Sequence, residues 1–337
     1  MTKKILSALL LVLLAACTLS TPQNTVPDVK TGTEGLVAEF VKNAPPALVF
    51  EQTAFPALIK VKNLGTYSLT EPKAILTLSA ERDYTSSMRL EVASGFGIQA
   101  GPNQQENMQS EALFSLGGKT ILNTKGEEEI ISYMLVSSKI EPQSETHKSQ
   151  LFATLCYPYK TELGASACVD TDPNGLRPIK KSCTIQTLQF SQGQGAPVAI
   201  TSIEPQMLPS TDNQNIIPQF LITIENKGRG EVTRLGSYAD LCRNAYKISY
   251  QDFNTINMKA FLSNEEMTCS LNAQSTKNEA DIKEKIVRLK AKKDTVRCVA
   301  KPVPLSRENY AASLRIELEY GYTQTISTEY TIKKPVS

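Results

Sequence analysis

The chain has 337 residues, with 36 Lys and Arg against 34 Asp and Glu, seven cysteines, one histidine and no tryptophan. This near-neutral balance gives no global drive toward nucleic acid. The single histidine, His147, leaves little for a His-based metal or catalytic centre, and the length suggests two domains rather than one β-sandwich.

Residues 1–16 have the make-up of a signal peptide. Lys3 and Lys4 are followed by an apolar run from Ile5 to Ala16, broken only by Ser7. As a helix that run would be roughly 18 Å long, short of the about 30 Å of a bilayer core. The run ends Leu14-Ala15-Ala16-Cys17, which resembles the lipobox of prokaryotic lipoproteins. The resemblance implies lipidation of Cys17 and cleavage after Ala16, and so attachment to a membrane through lipid on Cys17. Cleavage would remove two lysines and no acid, leaving a formally neutral chain. Residues 17–34, rich in Thr, Ser, Pro and Asn after the cysteine, read as a flexible tether.

The rest of the chain repeats at an offset of 163 residues. Ile59 to Gly65 (IKVKNLG) matches Ile222 to Gly228 (ITIENKG), and Leu151 to Tyr159 matches Leu314 to Tyr322. Both copies of the first motif are alternating strands ending in Asn-x-Gly, with glycine suited to a turn of positive φ. From Ala312 to Tyr320 the even positions are apolar and the odd ones Ser, Arg or Glu, the pattern of a half-buried antiparallel strand. Ile326, Thr328, Tyr330 and Ile332 continue at period two, and Thr323-Gln324 reads as the turn of a C-terminal hairpin. Each copy opens on an extended segment, Leu36 to Val41 and Val198 to Ile203. The fold class predicted is all-β: two tandem immunoglobulin-like antiparallel β-sandwiches, over 35–191 and 198–334, joined by a hinge at 192–197. Gly101 to Ser110 is polar enough to include a short helix. Residues 276–295 read as a lysine-rich edge strand.

With Cys17 lipidated, six cysteines remain, and an even number in an exported chain reads as disulfides. Cys168 and Cys183 flank a turn-rich loop and form the favoured pair. Cys269 with Cys298 is the second choice, which leaves Cys156 with Cys242 by elimination. No CxxC or CxH spacing points to a metal, and no cofactor fingerprint appears: Gly193-Gln194-Gly195 runs into Ala-Pro rather than a helix. No catalytic set emerges. His147 sits in the polar run Glu145 to Lys148 and reads as a solvated loop residue, Glu127 to Glu129 as a solvated turn, and Tyr157, Tyr159, Tyr320 and Tyr322 as tyrosine corners or core. The basic residues from Lys283 to Arg297 suit an exposed edge, or contact with anionic headgroups or a surface polymer.

The lipobox, Asn63 and Gly65, Cys168 and Cys183, Gly193 to Val198, Asn226 and Gly228, and Leu318 to Tyr322 together resemble archaeal surface lipoproteins with tandem Ig-like domains. They resemble more loosely the cell-adhesion-related Ig-like modules of bacterial and archaeal surfaces. The resemblance carries no catalytic residues. It implies a non-enzymatic, surface-anchored scaffold or adhesion module whose partner is an envelope protein or a glycan; the alternative is a solute- or glycan-binding lipoprotein serving a transporter or hydrolase.

Overall fold

The computed structural model describes residues 28–91, 98–101, 109–178, 180–243, 249–270 and 285–335. The signal peptide, Cys17, residues 102–108 of the stretch in which a short helix was expected, and residues 276–284 of the lysine-rich segment lie outside them.

The first half supplies β1 (Leu36–Phe40), β2 (Leu48–Phe50), β3 (Ala54–Asn63), β4 (Leu69–Ala80), β5 (Thr85–Glu91), β6 (Gln99–Ala100), β7 (Gln109–Leu116), β8 (Glu128–Ser137), β9 (Thr146–Val169) and β10 (Leu188–Gln189). The second supplies β11 (Val198–Pro209), β12 (Asn215–Asn226), β13 (Glu231–Thr233), the short helix α1 (Tyr238–Arg243), β14 (Thr255–Leu262), β15 (Glu265–Glu266), β16 (Thr268–Ser270), β17 (Ile286–Arg288), β18 (Lys293–Val299), β19 (Val303–Pro304) and β20 (Tyr310–Lys333).

The fold is all-β and sandwich-like. One sheet runs β1-β3-β8-β5 and a second β10-β11-β12-β18-β16. Both pack on a ten-stranded sheet whose main path is β15-β14-β20-β9-β4-β7-β6. Its two central strands are each 24 residues long and pair antiparallel along their whole length, from Tyr310↔Val169 to Lys333↔Thr146. The expected C-terminal hairpin is therefore absent. Thr323 and Gln324 lie mid-strand, opposite Cys156 and Leu155. The physical reason is parity. The even-numbered apolar positions before and after Thr323-Gln324 stay in phase, so one straight strand turns them all to the core face, and Thr-Gln lacks the positive-φ residues of a two-residue hairpin.

At the middle of this ladder Pro158 faces Gly321, its own repeat equivalent, flanked by Tyr159↔Tyr320 and Tyr157↔Tyr322. The ladder thus has a pseudo-two-fold axis, and each half borrows a strand. β4 of the first half pairs β9 over 151–156, and β14 of the second pairs β20 over 314–319. Pro158 lies beyond the stretch of β9 that pairs with β4, so on that side there is no ladder for a proline to interrupt. The chain crosses between the repeats over residues 192–197, the segment read as a hinge, which is clamped. Gly32 donates to Gln192 O (2.7 Å), Gly195 to Gly32 O (2.9 Å) and Thr66 to Gly195 O (2.9 Å), while the buried Gln194 side chain exchanges two hydrogen bonds with the Ile200 backbone.

The four ladder tyrosines are core, at mid-strand rather than at hairpins, and all are at most 1% exposed. Burial pushes all four hydroxyls well above the usual tyrosine range. Each hydroxyl has a partner. Tyr159 donates to Asn63 Oδ1 and Tyr322 to Asn226 Oδ1, both at 3.1 Å and both across 96 residues of sequence. The asparagines then donate to the carbonyls four residues on, Tyr67 (2.8 Å) and Gly230 (2.9 Å). Tyr157 donates to Leu36 O, and the Tyr320 hydroxyl accepts from Val198 N. The Asn-x-Gly glycines are explained by space, not by the positive φ expected: neither Gly65 nor Gly228 has one, and a Cβ at either would overlap the Tyr159 or Tyr322 hydroxyl.

Gly65→Ala should therefore cost about 1–3 kcal/mol by overpacking, and Tyr159→Phe about 1 kcal/mol by loss of one buried hydrogen bond; urea denaturation midpoints check both. A fragment starting at residue 196 would strip β9 from the whole of β20 and leave 324–333 with no paired strand. It should give no stable monomer by size-exclusion chromatography, and co-expression with the first half should restore a monodisperse species. A fragment that unfolds cooperatively as a monomer would contradict the shared ladder.

Candidate functional site

The structure brings the six described cysteines together as Cys156–Cys242, Cys168–Cys183 and Cys269–Cys298, with sequence separations of 86, 15 and 29. The first crosses the repeats. It ties α1 of the second half to β9, with Tyr238 and Cys242 packed on Ile75 and Cys156. Beside it Arg243 grips Glu111 on β7 through three hydrogen bonds of 2.6–3.1 Å, and Glu111 is only 1% exposed. A buried carboxylate is tolerable only with such a partner. The sequence held no local signal for this pair, because the two residues belong to different repeats.

The Cys168–Cys183 loop holds a motif missed in the sequence. Asp170, Asp172, Asn174 and Gly175 follow the D-x-D-x-N-G opening of an oxygen-lined calcium loop, whose twelfth position is ordinarily a glutamate. Here that position is Lys181. Its ammonium donates to Asp170 Oδ2 at 2.6 Å and to Asp172 O at 2.7 Å. The Asp172 carboxylate is already taken by Leu176 N (2.9 Å) and Arg177 N (2.8 Å), and Gly175 supplies the turn with φ of 64°. The chain thus provides its own cation to the loop, and among the described residues no three metal-ligating side chains converge.

His147 lies at the start of β9, not in a solvated loop. Its ring stacks on Tyr84 at 3.5 Å, and its Nε2 is 3.6 Å from Glu81. Tyr84 donates to Glu141, whose carboxylate pushes the tyrosine up to about 12. Glu81 also accepts from Ser149 Oγ at 3.0 Å. Of the acidic run 127–129, Glu127 is bound to Gly117 N at 2.5 Å and Glu128 to Lys62 at 3.1 Å.

The lysine-rich segment is divided between two sheets. Ile286–Arg288 is a three-residue edge strand on β14, whereas Lys293–Val299 lies inside its sheet between β12 and β16, which corrects the single edge strand expected. Four of its described charges are engaged locally: Lys285 with Glu266, Arg288 with Gln251 O (2.6 Å), Lys292 with Glu231 (3.8 Å) and Arg297 with Gln219 (2.6 Å).

Two clefts flank the pseudo-axis. One, of about 500 Å³, lies under residues 189–194 beside Asp28 and Glu162. The other, of about 430 Å³, is lined by Glu34, Glu39, Lys60, Lys62 and Arg229. In the second, every one of these charged groups is paired internally: Lys60–Glu39 (2.5 Å), Lys62–Glu128 (3.1 Å) and Arg229–Glu34 (3.6 Å). The second therefore offers no unpaired charged group to hold a small solute.

No family model matches the chain, and no curated protein matches it. Several solved structures are similar at a distance. A DUF4466 family protein from Parabacteroides merdae is 10% identical, covering 85% of this chain and 99% of its own, with a TM-score of 0.20. The C-terminal domain of the AgI/II polypeptide BspA from Streptococcus agalactiae is 7% identical, covering 88% and 98%, with a TM-score of 0.21. The B domain of a biofilm-associated protein is 8% identical, covering 87% and 73%, with a TM-score of 0.22. Likenesses this distant carry no functional argument.

Lys181→Ala should cost about 1–3 kcal/mol, because it leaves the buried Asp170 carboxylate unpaired. Backbone hydrogen bonds from Arg177 and Leu176 hold the Asp172 carboxyl below its ordinary value. A depressed carboxylate stabilises the fold above its unfolded pKa, and that stability is lost as pH falls through the folded one. The Cys168–Cys183 loop should therefore loosen only below the ordinary carboxylate range. Hydrogen exchange of the Leu176 and Arg177 amides against pH checks this.

Proposed function

We propose that the chain is a non-enzymatic, lipid-anchored protein of the cell surface, held by lipid on Cys17. It presents a stiff β-platform that holds or contacts another envelope component, a protein or a glycan. The observation that carries this reading is the unbroken pairing of β9 with β20. A ladder of that length extends about 75–80 Å, and a continuous sheet resists bending between lobes far better than a peptide linker does. The three disulfides suit an oxidising, extracytoplasmic setting. The internally paired charges around the second cleft favour surface contact over solute capture there.

Anchoring is tested with Cys17→Ser in the producing cell. The parent chain should fractionate with membranes and incorporate labelled fatty acid. The variant should be released or left unprocessed. A variant that remains in the membrane at its mature mass overturns the anchor. The platform reading is tested by crosslinking the parent chain on intact cells before purification: a defined envelope protein or polymer should be recovered. A stoichiometric small molecule released on denaturation would point to the solute-binding alternative instead.

A further inference from the structure

The turn between β7 and β8 carries two side chains that the fold does not use. Ile121 is 64% exposed and Leu122 is 99% exposed. Single exposed apolar residues are ordinary; this pair is distinguished by how it is held out. Thr120 N donates to Asn123 O (2.9 Å), Asn123 N to Thr120 Oγ1 (3.0 Å) and Lys125 N to Asn123 Oδ1 (3.3 Å), which closes a tight turn with Ile121-Leu122 at its tip. Both legs are bolted to the tyrosine-linked centre. Lys119 N donates to Gly65 O (2.7 Å), and Asn63 N to Glu127 O (2.9 Å). Lys125 stands exposed at one foot of the turn, beside the apolar tip.

The position of this finger says what covers it. The Lys119 ammonium donates to Thr31 O at 2.6 Å, so the finger stands beside the point where the chain enters the fold. Asp28 follows Cys17 by only eleven positions. Fully extended, that stretch reaches at most about 36–40 Å. A lipid on Cys17 therefore keeps the finger within a few nanometres of the bilayer. Apolar side chains with a lysine beside them are the composition that settles at the headgroup–acyl boundary.

We infer that Ile121 and Leu122 insert into the membrane that carries the anchor and, with the lipid, fix the orientation of the platform on it. This rests on the anchoring of Cys17 proposed above. The test uses the full chain, purified from membranes and reconstituted into phosphatidylcholine–phosphatidylglycerol vesicles. The sequence has no tryptophan, so Leu122→Trp places a single fluorescent reporter at a site that bears no packing. Leu176→Trp, at a side chain 82% exposed on the Cys168–Cys183 loop, is the control. The expected result is blue-shifted indole emission from the Leu122→Trp protein that brominated lipid quenches. Emission from the Leu176→Trp protein should stay red and unquenched. In flotation, Cys17→Ser should show residual vesicle binding that Leu122→Asp lowers about tenfold.

A Leu122→Trp protein that floats while its emission stays red overturns the insertion and leaves the anchor standing. Equal quenching of the two reporter proteins overturns it in favour of a platform lying flat. Blue-shifted emission from Leu122→Trp that brominated lipid does not quench overturns it in favour of a second copy covering the tip. A parent chain that does not float overturns both the anchor and the insertion.

Discussion

Four tyrosine hydroxyls buried at the centre of one sheet are the constraint around which the rest is arranged. A hydroxyl taken out of water without a partner costs several kcal/mol by most measures, about 1–3 in protein mutational data. Asn63 and Asn226 supply partners for two of them, and backbone groups near Leu36 and Val198 for the other two. The asparagine amides satisfy turn carbonyls as well, so the ends of β3 and β12 and the turns after them are fixed by the same bonds. Room for the rings then requires glycine two residues beyond each asparagine. One chemical demand thus sets the end of a strand, the path of a turn and the identity of a residue, twice over.

Because that centre lies on the pseudo-axis, its order is transmitted to both lobes. The inner faces of β9 and β20 are buried on either side of the tyrosines, so each lobe packs on strands that the other also needs. On the opposite face the Cys156–Cys242 bond and the Glu111–Arg243 pair tie α1 of one repeat to β7 and β9 of the other. Relative motion of domains is the ordinary expectation for tandem modules joined by a linker; here a continuous hydrogen-bonded ladder, a covalent bond and a buried ion pair all oppose it.

Much of this was legible in the sequence. Period-two alternation marked the strands, and the turn-rich loop between Cys168 and Cys183 marked that pair. What escaped was relation rather than type. The parity of Leu314 to Ile332 already excluded a turn at Thr323-Gln324, but a two-residue polar break resembles one when read locally. Asp170 to Gly175 spelled half of an ion-binding loop, and only the count of six residues onward to Lys181 revealed its resident ammonium. Glu111 with Arg243 and Tyr84 with His147 left no trace, because alternation says which face a residue occupies and not which distant residue shares it. The exposed tip at Leu122 was hidden for the opposite reason: a short apolar pair inside a polar loop is indistinguishable from a core contact until the turn around it is known.

The pairing of Pro158 with Gly321 has a further consequence. A ladder in which a residue meets its own repeat equivalent is one that two separate copies of a single repeat could form between them. Joined in one chain, the association is intramolecular, with an effective concentration on the millimolar scale for short connections. The clamped segment 192–197 shortens that connection further. The integrity of the fold is thereby independent of the protein's concentration, and a scarce protein is as completely assembled as an abundant one.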